Sequence, residues 1–157
     1  MTKMGTLEIT MPTDREIKFV REFNAPREMV FDAFRKPELL KKWFGPHGYT
    51  LPVCEVDWRV GGGFRFVLQN PSGKQMGMRG VYRELVAPER SVHEETFDDF
   101  PGSTSIVTAV FTEKDGRTTM TAVVLYPSKE IRDIVAQSGM QKGATETYER
   151  LEELLAA

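Results

Sequence analysis

Several things are scarce in this chain of 157 residues, and each scarcity removes a class of function. Cys54 is the only cysteine, so an internal disulfide is excluded and a reducing compartment is the natural fit. His47 and His93 are the only histidines, and they lie far apart in sequence. With one distant cysteine they offer no zinc-ligand spacing, and neither a metal nor another cofactor is expected. Charge of one sign is also missing: 21 Lys and Arg against 23 Asp and Glu leave a net charge of −2. That balance gives no footprint for nucleic acid or for an anionic membrane surface. No stretch approaches the roughly 18 apolar residues that span a bilayer. The opening MTKMGTLEITMPTDRE lacks the apolar core of a signal peptide. No membrane insertion and a cytoplasmic location are therefore expected. Repeats, linkers and low-complexity segments are absent too.

What is present reads as one domain, residues 17–157, preceded by an extension, residues 1–16, that could add an edge strand. Ile17 to Phe23 alternates as a strand, with Ile17, Phe19 and Phe23 on one face. Pro26 suits a helix start, and Val30 and Phe34 fall at i, i+4 beside Phe31 and Ala33. Pro37 ends that helix and opens a second, whose Leu40, Trp43 and Phe44 face inward before Gly45-Pro46 breaks it. From Pro52 onward the pattern becomes short strands: Val53–Trp58, Phe64–Gln69, Met76–Val86 and Ser91–Phe97. The run Gly61-Gly62-Gly63 suggests a sharp bend or bulge.

Asp115-Gly116 is a strong two-residue hairpin signal. Its register sets Phe111 against Met120, Ala109 against Ala122 and Val107 against Val124, all on one face. Thr108, Thr112, Thr119 and Thr121 collect on the other. A sheet with one apolar face needs one cover. The cover is predicted as a single long helix from Lys129 to Leu155, capped by Ser128 with Ile131 at N3. Ala144, Tyr148, Leu151 and Leu155 draw its apolar stripe, and Gly139 and Gly143 interrupt it. The fold class is α+β: a curved antiparallel sheet around a long C-terminal helix, with two short helices after the first strand.

In this order, several fragments resemble a known family. They are Arg21-Glu22-Phe23-Asn24-Ala25-Pro26-Arg27-Glu28, Trp43-Phe44-Gly45-Pro46 with Gly48, Val60-Gly61-Gly62, Gly80-Val81-Tyr82-Arg83-Glu84, Pro88-Glu89-Arg90, Asp115-Gly116-Arg117-Thr118, and Gly139-Met140-Gln141-Lys142-Gly143 with Arg150-Leu151. The chain resembles the activator-of-Hsp-ninety-ATPase-like family of the START, birch-pollen-allergen and polyketide-cyclase (SRPBCC) superfamily, over roughly Ile17 to Leu155. The resemblance implies the helix-grip (START-like) fold and a deep cavity between sheet and helix, often filled by an apolar small molecule. It implies no shared catalytic machinery.

On this reading Trp43, Phe44, His47, Phe64, Phe66, Met78, Tyr82, Met120, Ala122, Met140 and Gly143 are the candidate ligand-binding residues. The small residues Ala109, Ala122, Gly80 and Gly143 and the adaptable methionines favour open space over a filled core. Trp43 and Phe44 could gate the cavity or simply anchor their helix. His93 alternates with Val92 and Glu94, which could direct it outward into solvent. Glu94 and Glu95 face opposite sides of one strand; the inward one is expected to pair with an Arg such as Arg79 or to be solvated at the rim. Asp57 and Arg59 look like a surface ion pair, and Cys54 like a small core residue with nothing to activate it.

The expected function is binding of a small apolar or amphipathic molecule. A cyclase- or dehydratase-like enzyme is the alternative, with His47 and Glu94 as its candidate polar pair. A chaperone-interacting module is the second alternative, although the chain is too short to hold the extra domain of the eukaryotic activators. Monomer and homodimer both remain open, the dimer through the threonine-rich face or an edge strand near residues 6–11.

Overall fold

The last hairpin in the chain shows how local chemistry sets the architecture. Asp115 and Gly116 both adopt positive φ, 55° and 75°, the conformation a tight two-residue turn between twisted strands requires. It joins Ser105–Lys114 to Arg117–Leu125, and Lys114 faces Arg117, Phe111 faces Met120 and Val107 faces Val124, as the sequence pattern predicts.

In this computed structural model, which describes residues 5–157, the elements run as follows. Strands β1 (Glu8–Thr10) and β2 (Glu16–Phe23) precede helices α1 (Arg27–Arg35) and α2 (Pro37–Trp43). Strands β3 (Thr50–Val56), β4 (Gly63–Gln69), β5 (Gln75–Val86), β6 (Arg90–Phe97), β7 (Ser105–Lys114) and β8 (Arg117–Leu125) follow. Helices α3 (Lys129–Ala136) and α4 (Met140–Ala156) close the chain. All eight strands form one antiparallel sheet in the order β1-β2-β8-β7-β6-β5-β4-β3. The first long strand thus pairs with the last, and α1 and α2 carry the chain across the sheet to the opposite edge. Residues Glu8–Thr10 take the edge position beside β2.

The two-residue period turns Ile17, Phe19 and Phe23 of β2, Phe64, Phe66 and Leu68 of β4, and Met120, Ala122 and Val124 of β8 to the same buried face. Helices α1, α2 and α4 cover it through Val30, Phe31, Leu40, Trp43 and the fully buried Leu151. Trp43 is pinned by its ring nitrogen, which donates to the Ala33 carbonyl at 3.0 Å. Thr118 is fully buried among these apolar groups and donates to the Ala25 carbonyl at 2.7 Å. Arg21, also on the inner face, is satisfied by Glu152 at 3.1 Å and stacks over Phe23.

One predicted element is corrected. The single helix from Lys129 to Leu155 is two helices, α3 and α4, parted at Gln137-Ser138-Gly139. Ser128 caps the first as expected, accepting from the Ile131 amide at 3.2 Å. Gly139 then turns left-handed, φ 84°, where a side chain would cost roughly 1–2 kcal/mol. Gly143 has a different role, since a Cβ there would meet only Pro46, at an ordinary 3.6 Å.

Leu151 anchors α4 to the sheet and helices, so Leu151→Ala should lower the unfolding free energy by about 2–5 kcal/mol in urea titrations. A change under about 1 kcal/mol would show that α4 docks by other contacts.

Candidate functional site: an apolar cavity with one polar wall

Between the concave sheet face and the helices lies a cavity of about 430 Å³. Its floor is apolar: Phe64, Phe66 and Leu68 from β4, Met78 from β5, Val107, Ala109 and Phe111 from β7, and Met120, Ala122 and Val124 from β8. Phe44 and Pro46 enter from the segment after α2, and Val135, Met140, Gly143, Ala144 and Tyr148 from α3 and α4. The small residues Ala109 and Ala122 sit directly opposite each other on adjacent strands, which deepens the floor.

Gly80 plays another part than the sequence suggests. A Cβ at Gly80 would collide with the ring of its cross-strand partner Phe64 and with the Glu94 carbonyl. Its missing side chain makes room for that ring, not for a ligand.

Strand β6 supplies the polar wall. Ser91, His93 and Glu95 alternate onto the cavity side. His93 Nε2 lies 2.9 Å from Glu95 Oε1. The imidazole meets Phe64 at right angles, with ring centres 5.3 Å apart, and tilts against Tyr82 at 6.4 Å. Burial pushes the phenols of Tyr82, Tyr126 and Tyr148 upward, Tyr148 to about 12. For Tyr126 and Tyr148 the negative charge of Glu95 adds to the rise. Both phenols therefore hold their protons tightly and stay neutral at any physiological pH.

This placement corrects the outward reading of His93 and the expected polar pair. His47 is exposed on the loop after α2, where its amide donates to Glu146 at 3.1 Å. Glu94 points to the outer face and pairs with Arg83 at 2.9 Å. His47 and Glu94 do not converge; His93 and Glu95 do. Arg79 is not the partner of the inward acid, because it binds Asp98 on the outer face at 3.1 Å together with Arg65. A bulge in β5 sets the direction of Glu84. Tyr82 pairs with His93 but Glu84 pairs with Val92, so the extra residue turns Glu84 away from the cavity toward Arg90.

Of the eleven candidate ligand-binding residues, Phe44, Phe64, Phe66, Met78, Tyr82, Met120, Ala122, Met140 and Gly143 border the cavity. Trp43 and His47 do not. Trp43 is buried behind Phe44, against Phe34 and Tyr148, and acts as the anchor of α2. The expected Asp57–Arg59 ion pair is present at 2.9 Å.

The segment after α2 that lines the cavity is held by Arg150 of α4. Its guanidinium donates to the carbonyls of Gly45 at 2.9 Å, Pro46 at 3.1 Å, Tyr49 at 3.3 Å and Lys42 at 3.2 Å. Gly45 itself takes φ 107°, and a Cβ there would press on Leu68 and Tyr49. One side chain thus fixes the segment that places Phe44 and Pro46. Among the described residues, no group of three or more His, Cys, Asp or Glu is placed to hold a metal ion, and no helix is long and apolar enough to cross a membrane.

A curved antiparallel sheet gripping a C-terminal helix defines the helix-grip class. The sequence matches the family described as Activator of Hsp90 ATPase homolog 1-like protein over residues 24–156, and the chain belongs to that family. A search of curated proteins returned no match. A crystal structure from Rhodobacter sphaeroides is similar with TM-score 0.90 and 30% identity, covering 96% of this chain and 97% of that one. A protein from Nitrosomonas europaea gives TM-score 0.82 and 27% identity over 93% and 97% of the two chains. One from Mycobacterium smegmatis gives 0.85 and 25% over 96% and 97%.

Two predictions follow from this geometry. Burial, opposed by Lys41 and reinforced by Glu38, raises the Cys54 thiol to about 11. Cys54 should resist a thiol reagent at pH 8 in the folded protein, react after denaturation, and gain reactivity only as pH climbs toward that value. Rapid labelling of the native protein at pH 8 would contradict it. Arg150→Ala should cost about 1–3 kcal/mol of stability and raise amide exchange across residues 44–49 above that of the β4–β5 hairpin. Unchanged exchange there would show that the segment is held without the clamp.

Proposed function

We propose that the protein binds a small apolar or amphipathic molecule between its sheet and its terminal helices. The observation that carries this reading is the cavity itself, about 430 Å³ with walls that are mostly aromatic and aliphatic. That volume falls within the roughly 300–1,000 Å³ typical of small-molecule sites. Apolar walls of this extent are costly to leave in contact with water. Filled with water, the cavity leaves aromatic walls hydrated with few partners for each water. An apolar guest removes both penalties, at about 25 cal/mol per Å² of apolar surface withdrawn from water.

A second reading, a cyclase- or dehydratase-like enzyme, draws support from one feature. A histidine held by a carboxylate inside an apolar cavity has the form of an oriented general base. Under that reading His93 is the base and Glu95 the residue that positions it. His93→Gln would abolish turnover while leaving the fold and the affinity for a non-reacting guest intact.

Native mass spectra of the protein from its expression host should show a bound mass that disappears on denaturation, or the protein should take up the neutral probe N-phenyl-1-naphthylamine with enhanced fluorescence. Ala122→Phe, which fills the floor, should weaken probe binding at least about tenfold while keeping the fold. Absence of both bound mass and probe uptake, or an Ala122→Phe variant that binds like the wild type, would defeat the proposal.

A further inference from the structure

We infer that the cavity selects guests that donate a hydrogen bond, such as an alcohol, phenol or amine on an apolar frame, and rejects carboxylates of the same shape. This rests on the binding reading above and specifies which end of the guest is recognised, and by what.

The argument begins with charge. Among the described residues, Glu95 is the one carboxylate bordering the cavity, and neither lysine nor arginine borders it. The arginines closest to the core are already engaged. Arg21 is bound by Glu152, Arg132 by Asp133 and the Thr13 carbonyl, and Arg150 by loop carbonyls. Among the described residues, therefore, no lysine or arginine is placed to receive a second negative charge beside Glu95. In an apolar enclosure, where charges interact far more strongly than in water, such a neighbour is repelled. The reach of Glu95 across the cavity is visible at Tyr126 and Tyr148, whose phenols its charge helps to hold protonated.

The hydrogen-bond polarity of Glu95 itself points the same way. A carboxylate only accepts, so the 2.9 Å contact places an imidazole N–H on Nε2 of His93, facing Glu95. Glu95 retains accepting capacity on its second oxygen. The charged part of the wall therefore offers acceptors, and a guest that brings a donor satisfies them. A guest without one leaves them unpaired under apolar cover. A carboxylate guest adds repulsion to that loss.

Three guests of one shape test this on the full chain at pH 7.5, each displacing N-phenyl-1-naphthylamine: 2-naphthol, 2-methylnaphthalene and 2-naphthoate. The naphthol should bind about tenfold tighter than the methyl compound, and the naphthoate at least about tenfold weaker than it. The isosteric Glu95→Gln should shrink both ratios to within about threefold. Glu94→Gln, on the outer face, should leave both unchanged. Equal binding of naphthol and methylnaphthalene, or tighter binding of naphthoate, overturns the inference while the cavity reading stands. Failure of the probe and all three guests to bind overturns both. Ratios that persist in Glu95→Gln also overturn it, because recognition would then lie elsewhere in the wall.

Discussion

Everything in this structure depends on the pairing of β2 with β8. Phe19 lies against Ala122 and Ile17 against Val124, roughly a hundred residues apart in sequence. This contact places the first long strand beside the last and obliges α1 and α2 to cross to the far edge. It also fixes which side of every strand faces inward, because a slip of one residue would turn each side chain to the other face. Antiparallel registers then propagate the choice. Ala122 inward requires Ala109 inward, Val107 requires His93, and His93 requires Tyr82. The polar wall is thus a consequence of a phase set two strands away.

The same phase explains why parts of the site were legible in the sequence and parts were not. The β7–β8 register could be counted because Asp115-Gly116 leaves no slack, and the residues it assigned to the inner face are there. The β6–β7 connection has no such turn. It runs through Asp98 to Thr104, so the sequence alone left the phase of β6 open and allowed His93 to be placed outside. Carrying the hairpin register one strand further would have turned His93 and Glu95 inward, since Val107 faces His93. The bulge at Arg83 was hidden for a related reason. An extra residue inside an alternating strand leaves no mark unless the partner strand is known.

The broken terminal helix was hidden differently. Its apolar spacing is continuous enough to read as one helix, and a glycine within such a pattern costs only about 1 kcal/mol. What decides the break is tertiary. Val135 on α3 and Met140 on α4 both reach the cavity, and the left-handed turn at Gly139 lets two short segments follow the sheet's curve. Beyond the break, α4 carries the groups that fix the loop after α2: Arg150 takes its carbonyls and Glu146 accepts from the His47 amide. Trp43, read from sequence as either gate or anchor, is fixed as an anchor by its bond to Ala33. Phe44, one residue later, is left to form the wall.

An ion-forming residue in an apolar cavity is a cost that folding alone gives no reason to carry. A hydrophobic residue of similar volume at Glu95 would fill the same space without desolvating a carboxylate, and such replacements are often neutral or stabilising. The β6 ladder is made by backbone groups, and the Glu95 side chain hydrogen-bonds one histidine of the same strand rather than joining two elements. Arg21–Glu152 differs, for it joins β2 to α4 and leaves no charge facing the cavity. The contrast separates two kinds of buried polar group in one small domain. One is spent on connecting elements, and the other has accepting capacity left over inside an otherwise apolar space. Surplus hydrogen-bonding capacity aimed into a cavity is the physical signature of recognition, and among the described residues Glu95 on β6 is the one carboxylate that supplies it here.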